Sequence, residues 1–354
     1  MVDPTRPLIA CRRRGTLTRQ GYPSGVEVFV PAPWLPGPHL QTLWGPLVRE
    51  RSAVEFQREL LVTPDDDDLY LDHVTPLGPR ARVVLLHGLE GSSRSVYAQA
   101  LSRALVARGV AVSALNFRSC ARDPQRPRRW IPNRRPRLYH SGETADPGFV
   151  LRTLAAREPN LALGAIGVSL GGNALLKWLG EDPANDFLKA AAAISAPVDL
   201  LAGSRHLETA AGVLYVASFL RTLRAKAEAL TLRFPEARAR IDLARFAAAR
   251  SFFEFDDAAT APLHGFTGAP DYYARCSALG FLPRIRTPTL AIGSEDDPFL
   301  PAEALHRARR AAPEGVEVRV TRHGGHVGFV SGFLGASYWA EEQVVAWIVR
   351  RLVG

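Results

Sequence analysis

Ser169 sits in Gly167-Val168-Ser169-Leu170-Gly171, between a mostly apolar run (LALGAIGV) and a stretch of helical composition (NALLKWLGE). A serine at a tight strand-to-helix turn adopts a strained backbone in which flanking side chains would collide, so glycine on both sides suits a nucleophile elbow. The helix that follows aims free N–H groups towards the serine, as a step that develops an oxyanion requires. A serine nucleophile needs a base to take its proton and a carboxylate to orient that base. Two clusters downstream carry those types: Asp296 and Asp297 in AIGSEDDPF, and His323 and His326 in RHGGHVGF. Spacing alone leaves open which aspartate and which histidine serve. A second oxyanion donor is expected in His87-Gly88-Leu89-Glu90-Gly91, which directly follows an apolar run; Leu89 is the candidate there and Leu170, the residue after the serine, is the first.

These groups need a scaffold that gathers them at one edge. From Arg82 onward, short apolar runs alternate with helical stretches: strands over Val83–Leu86, Val110–Asn116, the run into Ser169, Ala190–Ser195, Thr289–Gly293 and Val316–Thr321, with helices over Ser95–Arg108, Thr144–Arg157, Asn173–Leu179 and Tyr338–Leu352. Fully apolar strands separated by helices imply a parallel sheet covered on both faces, whose active groups collect at the carboxyl ends of the strands. Each candidate follows a strand, and the order Ser, Asp, His is that of α/β-hydrolases. Two further strands, Ala53–Val62 and Leu69–Val74, flank a turn holding Asp65-Asp66-Asp67-Asp68. That turn lacks the alternating ligands, central glycine and terminal glutamate of a calcium loop, so it reads as a solvated hairpin turn. Residues 198–283 have helical composition and no convincing strand, as expected of a helical lid inserted between two core segments, 53–197 and 284–354. Residues 1–52 form an N-terminal arm, and the proline-rich, tryptophan-rich part up to Leu47 is expected to be extended, without regular structure.

Composition narrows the function. With 354 residues, 47% of them hydrophobic, the chain can bury a large core. No run of about 18 apolar residues marks a membrane-spanning helix, and the first residues lack a signal-peptide core, so a cytoplasmic protein is expected. Cys11, Cys120 and Cys276 are too few and scattered for a disulfide framework or a metal knuckle. His323-x-x-His326 lacks a third ligand at useful spacing, and no metal or organic cofactor is implied. Most of the net charge of +9 lies between Arg118 and Arg137, where eight arginines face one acid, Asp123. Prolines 124, 127, 132 and 136 forbid a recognition helix there, which argues against nucleic acid. The loop suits either a solvated rim or peripheral contact with an anionic membrane.

Longer motifs agree with one family. PHLQTLW (38–44), LLHGLEGSS (85–93), NFRSC (116–120), YHSGET (139–144), GVSLGGNALLKWLGE (167–181), SAPVDL (195–200), FDDAATAPLHGF (255–266), Tyr272-Tyr273, DDPF (296–299) and GGHVGF (324–329) together resemble the YheT-like branch of the α/β-hydrolases, relatives of the abhydrolase-domain esterases and lipases. The resemblance covers nearly the whole chain. It implies Ser169 as nucleophile, Asp297 rather than Asp296 as the orienting acid and His326 rather than His323 as base. The implied activity is hydrolysis of carboxylic esters, acyl or lipid-like, through an acyl-enzyme. A competing expectation is a non-hydrolytic protein of the same fold that binds a lipid-like ligand or a partner. Two departures from the family pattern stand out: Ser119 replaces the glycine of the usual NFRGC, and the arginine-rich loop is long.

Overall fold

The computed structural model describes residues 28–49, 53–209, 212–333 and 336–354. Cys11, most of the N-terminal arm and residues 50–52 therefore lie outside the described residues. In chain order the elements are α1 (Pro38–Val48), β1 (Gln57–Val62), β2 (Asp68–Val74), β3 (Ala81–Leu86), α2 (Val96–Val106), β4 (Val110–Asn116), α3 (Ala145–Arg157), β5 (Ala162–Val168), α4 (Leu170–Glu181) and β6 (Leu188–Ile194). There follow α5 (Leu200–His206), α6 (Gly212–Arg233), α7 (Pro235–Arg240), α8 (Leu243–Ala248) and α9 (Phe252–Phe255). A π-helical turn over Asp256–Thr260 then leads into α10 (Ala261–Leu263) and α11 (Ala269–Cys276). The chain closes with β7 (Thr289–Ser294), α12 (Ala302–Ala311), β8 (Val316–Thr321), the short pair β9 (Val330–Ser331) and β10 (Ser337–Tyr338), and α13 (Trp339–Val353).

Eight strands form one sheet in the order β1-β2-β4-β3-β5-β6-β7-β8. The β1/β2 and β2/β4 pairings are antiparallel; β4, β3, β5, β6, β7 and β8 are mutually parallel. Side chains alternate across each strand, so β3 sends Val83 and Leu85 to one core and Val84 and Leu86 to the other. One face is covered by α2 and α13, whose Leu101, Val344 and Ile348 are fully buried; the other is covered by α3, α4 and α12. This is the two-faced burial that requires strands as apolar as β3 and β4.

Two expectations need correction. The arm is not extended throughout: residues 38–48 are helical, begun by Gly37 at a positive φ of 82° with Pro38 in the first turn. Proline is pre-organised for that position, so PHLQTLW is a helix start rather than a coil. The aspartate turn is not simply solvated either. Asp67 is fully buried, and with Asp65 and Asp146 it surrounds the buried Arg118 guanidinium at 2.7–2.9 Å. Arg134 and Arg135 pair with Asp66, Arg134 also with Asp68, and Arg137 with Asp65 and Glu143. The acidic hairpin is thus the counter-charge of the arginine loop, and the carboxylates that invited a calcium reading hold a guanidinium.

Candidate active site

Ser169 occupies the junction of β5 and α4 at φ 52°, ψ −120°, a conformation that costs a non-glycine residue on the order of 1–3 kcal/mol. Its neighbours show why glycine is needed. A Cβ on Gly167 would lie 2.4 Å from the Gly171 carbonyl oxygen, and one on Gly171 would lie 2.5 Å from that of Leu86. The Ser169 N–H donates to the Ile194 carbonyl at 2.8 Å, which fixes the elbow to the end of β6.

The loops after β7 and β8 bring the candidate acid and base to the serine. His326 Nε2 stands 2.9 Å from Ser169 Oγ, and His326 Nδ1 stands 2.9 Å from Asp297 Oδ2 and 3.1 Å from Oδ1. Asp297 and His326 are buried, and Phe299 stacks flat on the imidazole with centroids 4.2 Å apart. Asp297 also accepts the Phe299 N–H at 2.7 Å. Asp296 and His323 form a separate pair, 3.2 Å apart, that does not line the serine's cavity, with the His323 side chain 54% exposed. Asp296 also accepts the Gly325 N–H and so braces the loop that carries His326. Neither aspartate caps α12, which starts only after Pro301.

The histidine loop is fastened from two further sides. Its His326 N–H donates to Thr42 Oγ1 at 2.9 Å, and its Val327 N–H donates to Ser195 Oγ at 3.0 Å. Gln41, buried beside Thr42, accepts the Val330 N–H and donates to the Val330 carbonyl. These positioning roles of α1 escaped the reading of the sequence. Their signal was the PHLQTLW motif together with the proline at a helix start.

On the other side of the serine, three amides of the His87–Gly91 loop are occupied. Gly88 N–H donates to Tyr97 Oη (2.8 Å), Glu90 N–H to Tyr139 Oη (2.7 Å) and Gly91 N–H to the Gly88 carbonyl (3.0 Å). Leu89 is left between them, lining the same cavity as Ser169 and Leu170. His87 is structural: Nδ1 lies 2.7 Å from the Gly88 carbonyl, and Nε2 accepts the Phe117 N–H at 3.1 Å. Burial pushes its pKa down to about 4, which keeps the acceptor nitrogen neutral. Glu90, at a positive φ of 56°, receives Tyr139 Oη–H at 2.8 Å and pairs with the buried Lys226 of α6 at 2.7 Å. Ser119 stands at φ 61°, which accounts for the usual glycine there, and its hydroxyl donates to Asn133 Oδ1.

The serine opens into a cavity of about 870 Å³ walled by α1, the His87–Gly91 loop and the segment between β6 and β7. Leu214, Phe219 and Phe252 line it, whereas Phe253 packs instead on Tyr273. Among the described residues, no group of three or more His, Cys, Asp or Glu is arranged to hold a metal, and no helix is long and apolar enough to cross a membrane.

Comparison with known proteins agrees with this architecture. The profile of the alpha/beta hydrolase fold matches residues 81–333. The chain is 36% identical over 328 residues to the Escherichia coli (strain K12) protein named "Putative esterase YheT", covering 92% of this chain and 94% of that one. It is 27% identical over 319 residues to human "Phospholipase ABHD3", covering 88% and 75% of the two chains. Among solved structures, the Pyrococcus furiosus esterase Pf2001 superposes with a TM-score of 0.55 at 18% identity, over 85% of this chain and 92% of that chain, a likeness of fold. With a family profile spanning most of its length and a relative of this identity over nearly all of it, the chain belongs to the α/β-hydrolase superfamily and, within it, to the YheT-like branch.

Proposed function

We propose that the protein is a serine hydrolase of carboxylic esters that works through Ser169, His326 and Asp297. The observation that carries this reading is the unbroken line from Ser169 Oγ to His326 Nε2 and from His326 Nδ1 to Asp297, at 2.9 Å each, on a strained elbow that faces a cavity. His326 takes the Ser169 proton as the hydroxyl attacks the acyl carbon, and Asp297 holds the imidazole in the tautomer whose Nε2 accepts and stabilises the imidazolium that forms. The Leu89 and Leu170 N–H groups receive the oxyanion. The imidazolium then protonates the leaving alkoxide, and water, deprotonated by the same histidine, releases the acid from the acyl-enzyme. Names such as esterase and phospholipase among the relatives support the reaction class.

The substrate under this reading is a small-molecule ester with an acyl or lipid-like part, matched to a cavity whose walls include Leu214, Phe219 and Phe252. Residues 198–283 act as the lid that closes over it, and the protein works in the cytoplasm without a metal or organic cofactor. Peripheral contact with an anionic membrane rests on Arg126, Arg128 and Arg129, which are exposed, because Arg118, Arg134, Arg135 and Arg137 are engaged by the acidic residues named above. The test is a screen of 4-nitrophenyl esters of increasing acyl length, with Ser169→Ala as control. The reading expects turnover that varies with chain length and is lost in the variant; no turnover of any ester by folded protein would overturn it.

A further inference from the structure

Three carboxylates line the cavity among the described residues, and they are not equivalent. Glu341 is held by Arg49 through two bonds of 2.5 and 3.0 Å, and Glu90 is held by Lys226 at 2.7 Å. Among the described residues, no cation pairs with Asp256. Its Oδ1 accepts the Thr260 hydroxyl at 2.6 Å and its Oδ2 accepts the Tyr273 hydroxyl at 2.8 Å, while Ser204 Oγ lies 3.3 Å from that same phenol oxygen. Ser204, Thr260 and Tyr273 line the cavity with it, so four polar side chains converge on one part of a largely apolar wall.

The local backbone makes this placement. Asp256 and Asp257 are adjacent, yet they face opposite ways. Asp257 points outward to Arg245 at 2.7 Å and accepts the Ala269 N–H at the start of α11. Asp256 turns inward at the first residue of the π-helical turn, a wide turn that recurs at functional sites. A carboxylate taken out of water is costly unless it is paired, and two neutral hydroxyls use only half of its acceptor positions. Burial accordingly pushes the Asp256 carboxyl up to about 6. A site of this kind gains most from a partner that brings donors of its own.

We propose that Asp256, with Thr260, Tyr273 and Ser204, forms a subsite for a hydrogen-bond-donating end group of the substrate, an ammonium or a hydroxyl, remote from the ester bond. The subsite rests on the ester-hydrolase reading and specifies its substrate: an ester whose apolar body ends in a donor.

The test uses the full chain and two matched series of esters that end in methyl, hydroxyl or ammonium, the end group carried once on the acyl chain and once on the alcohol. In at least one series, kcat/KM for a donor-ended ester is expected to exceed that of its methyl-ended match by about tenfold, the range for a hydrogen bond to a charged group. Asp256→Asn should collapse that ratio; a lead for the ammonium identifies a cationic substrate, and a lead for the hydroxyl a neutral one. Methyl-ended esters preferred in both series by the unaltered protein overturn the proposal, as does an unchanged ratio in Asp256→Asn. Labelling of Ser169 by a fluorophosphonate in the same preparations separates the two readings. A labelled enzyme with no end-group preference sinks the subsite alone, whereas an unlabelled one sinks the hydrolase.

Discussion

Two aspartate–histidine pairs lie side by side after the same two strands, and they have different fates. Asp297–His326 is buried, covered by Phe299, and joined to Ser169 at 2.9 Å. Asp296–His323 is 3.2 Å apart, reaches solvent through His323 and lies outside the wall of the serine's cavity. The residue types, chain order and adjacent strand ends are shared. What differs is the direction in which each side chain leaves its loop. Asp297 is turned inward, accepting the Phe299 N–H, and the loop of His326 is pulled onto Ser195 and Thr42. Proximity of an acid to an imidazole is therefore cheap. Burial and a third partner set the proposed catalytic pair apart, because an ion pair that forms out of water is worth far more than one at a surface.

Substitutions test this contrast. Asp297→Asn should lower kcat by roughly 10⁴, the order found when a triad carboxylate is made neutral and the histidine tautomer inverts; equal losses from Asp296→Asn would break the comparison. Thr42→Val should have an intermediate effect. It removes the acceptor of the buried His326 N–H, a loss of about 1–3 kcal/mol, so kcat should drop by about tenfold and the midpoint of thermal unfolding should fall. A variant that changes neither would show that α1 does not hold the base. His323→Ala should be the mildest, with kcat within about twofold of the unaltered enzyme, because an exposed pair contributes only about 0–1 kcal/mol. Steady-state kinetics on one ester and a melting curve check all three.

Much of the candidate site's geometry is legible in the sequence because it follows strand ends. Gly167 and Gly171 announce the elbow, and the apolar runs at 83–86, 289–293 and 316–321 predict where donors, acid and base emerge. Spacing could not choose Asp297 over Asp296, since both follow β7 and only the turn at Pro298-Phe299 decides which faces inward; the family resemblance supplied that choice. Helix α1 was hidden by proline density, which reads as coil unless Pro38 is recognised as a first-turn residue. The match between Asp65–Asp68 and the arginine loop was hidden for another reason. Ion pairs between segments more than fifty residues apart leave no periodic trace, so the aspartate turn on its own reads as solvated and the arginine loop as a solvated rim or a membrane contact. The same holds for Lys226, which α6 brings to Glu90 across 136 positions of sequence.

Ser169, activated by the buried pair and not by the exposed one, is proposed to form the covalent intermediate. The most direct measurement is mass spectrometry of peptides after reaction with a fluorophosphonate, done in parallel on the unaltered chain, Asp297→Asn and Asp296→Asn. A single adduct is expected on the peptide bearing Ser169, formed at nearly the unaltered rate in Asp296→Asn and far more slowly in Asp297→Asn. An adduct on another serine, or equal labelling rates in the two variants, would contradict it.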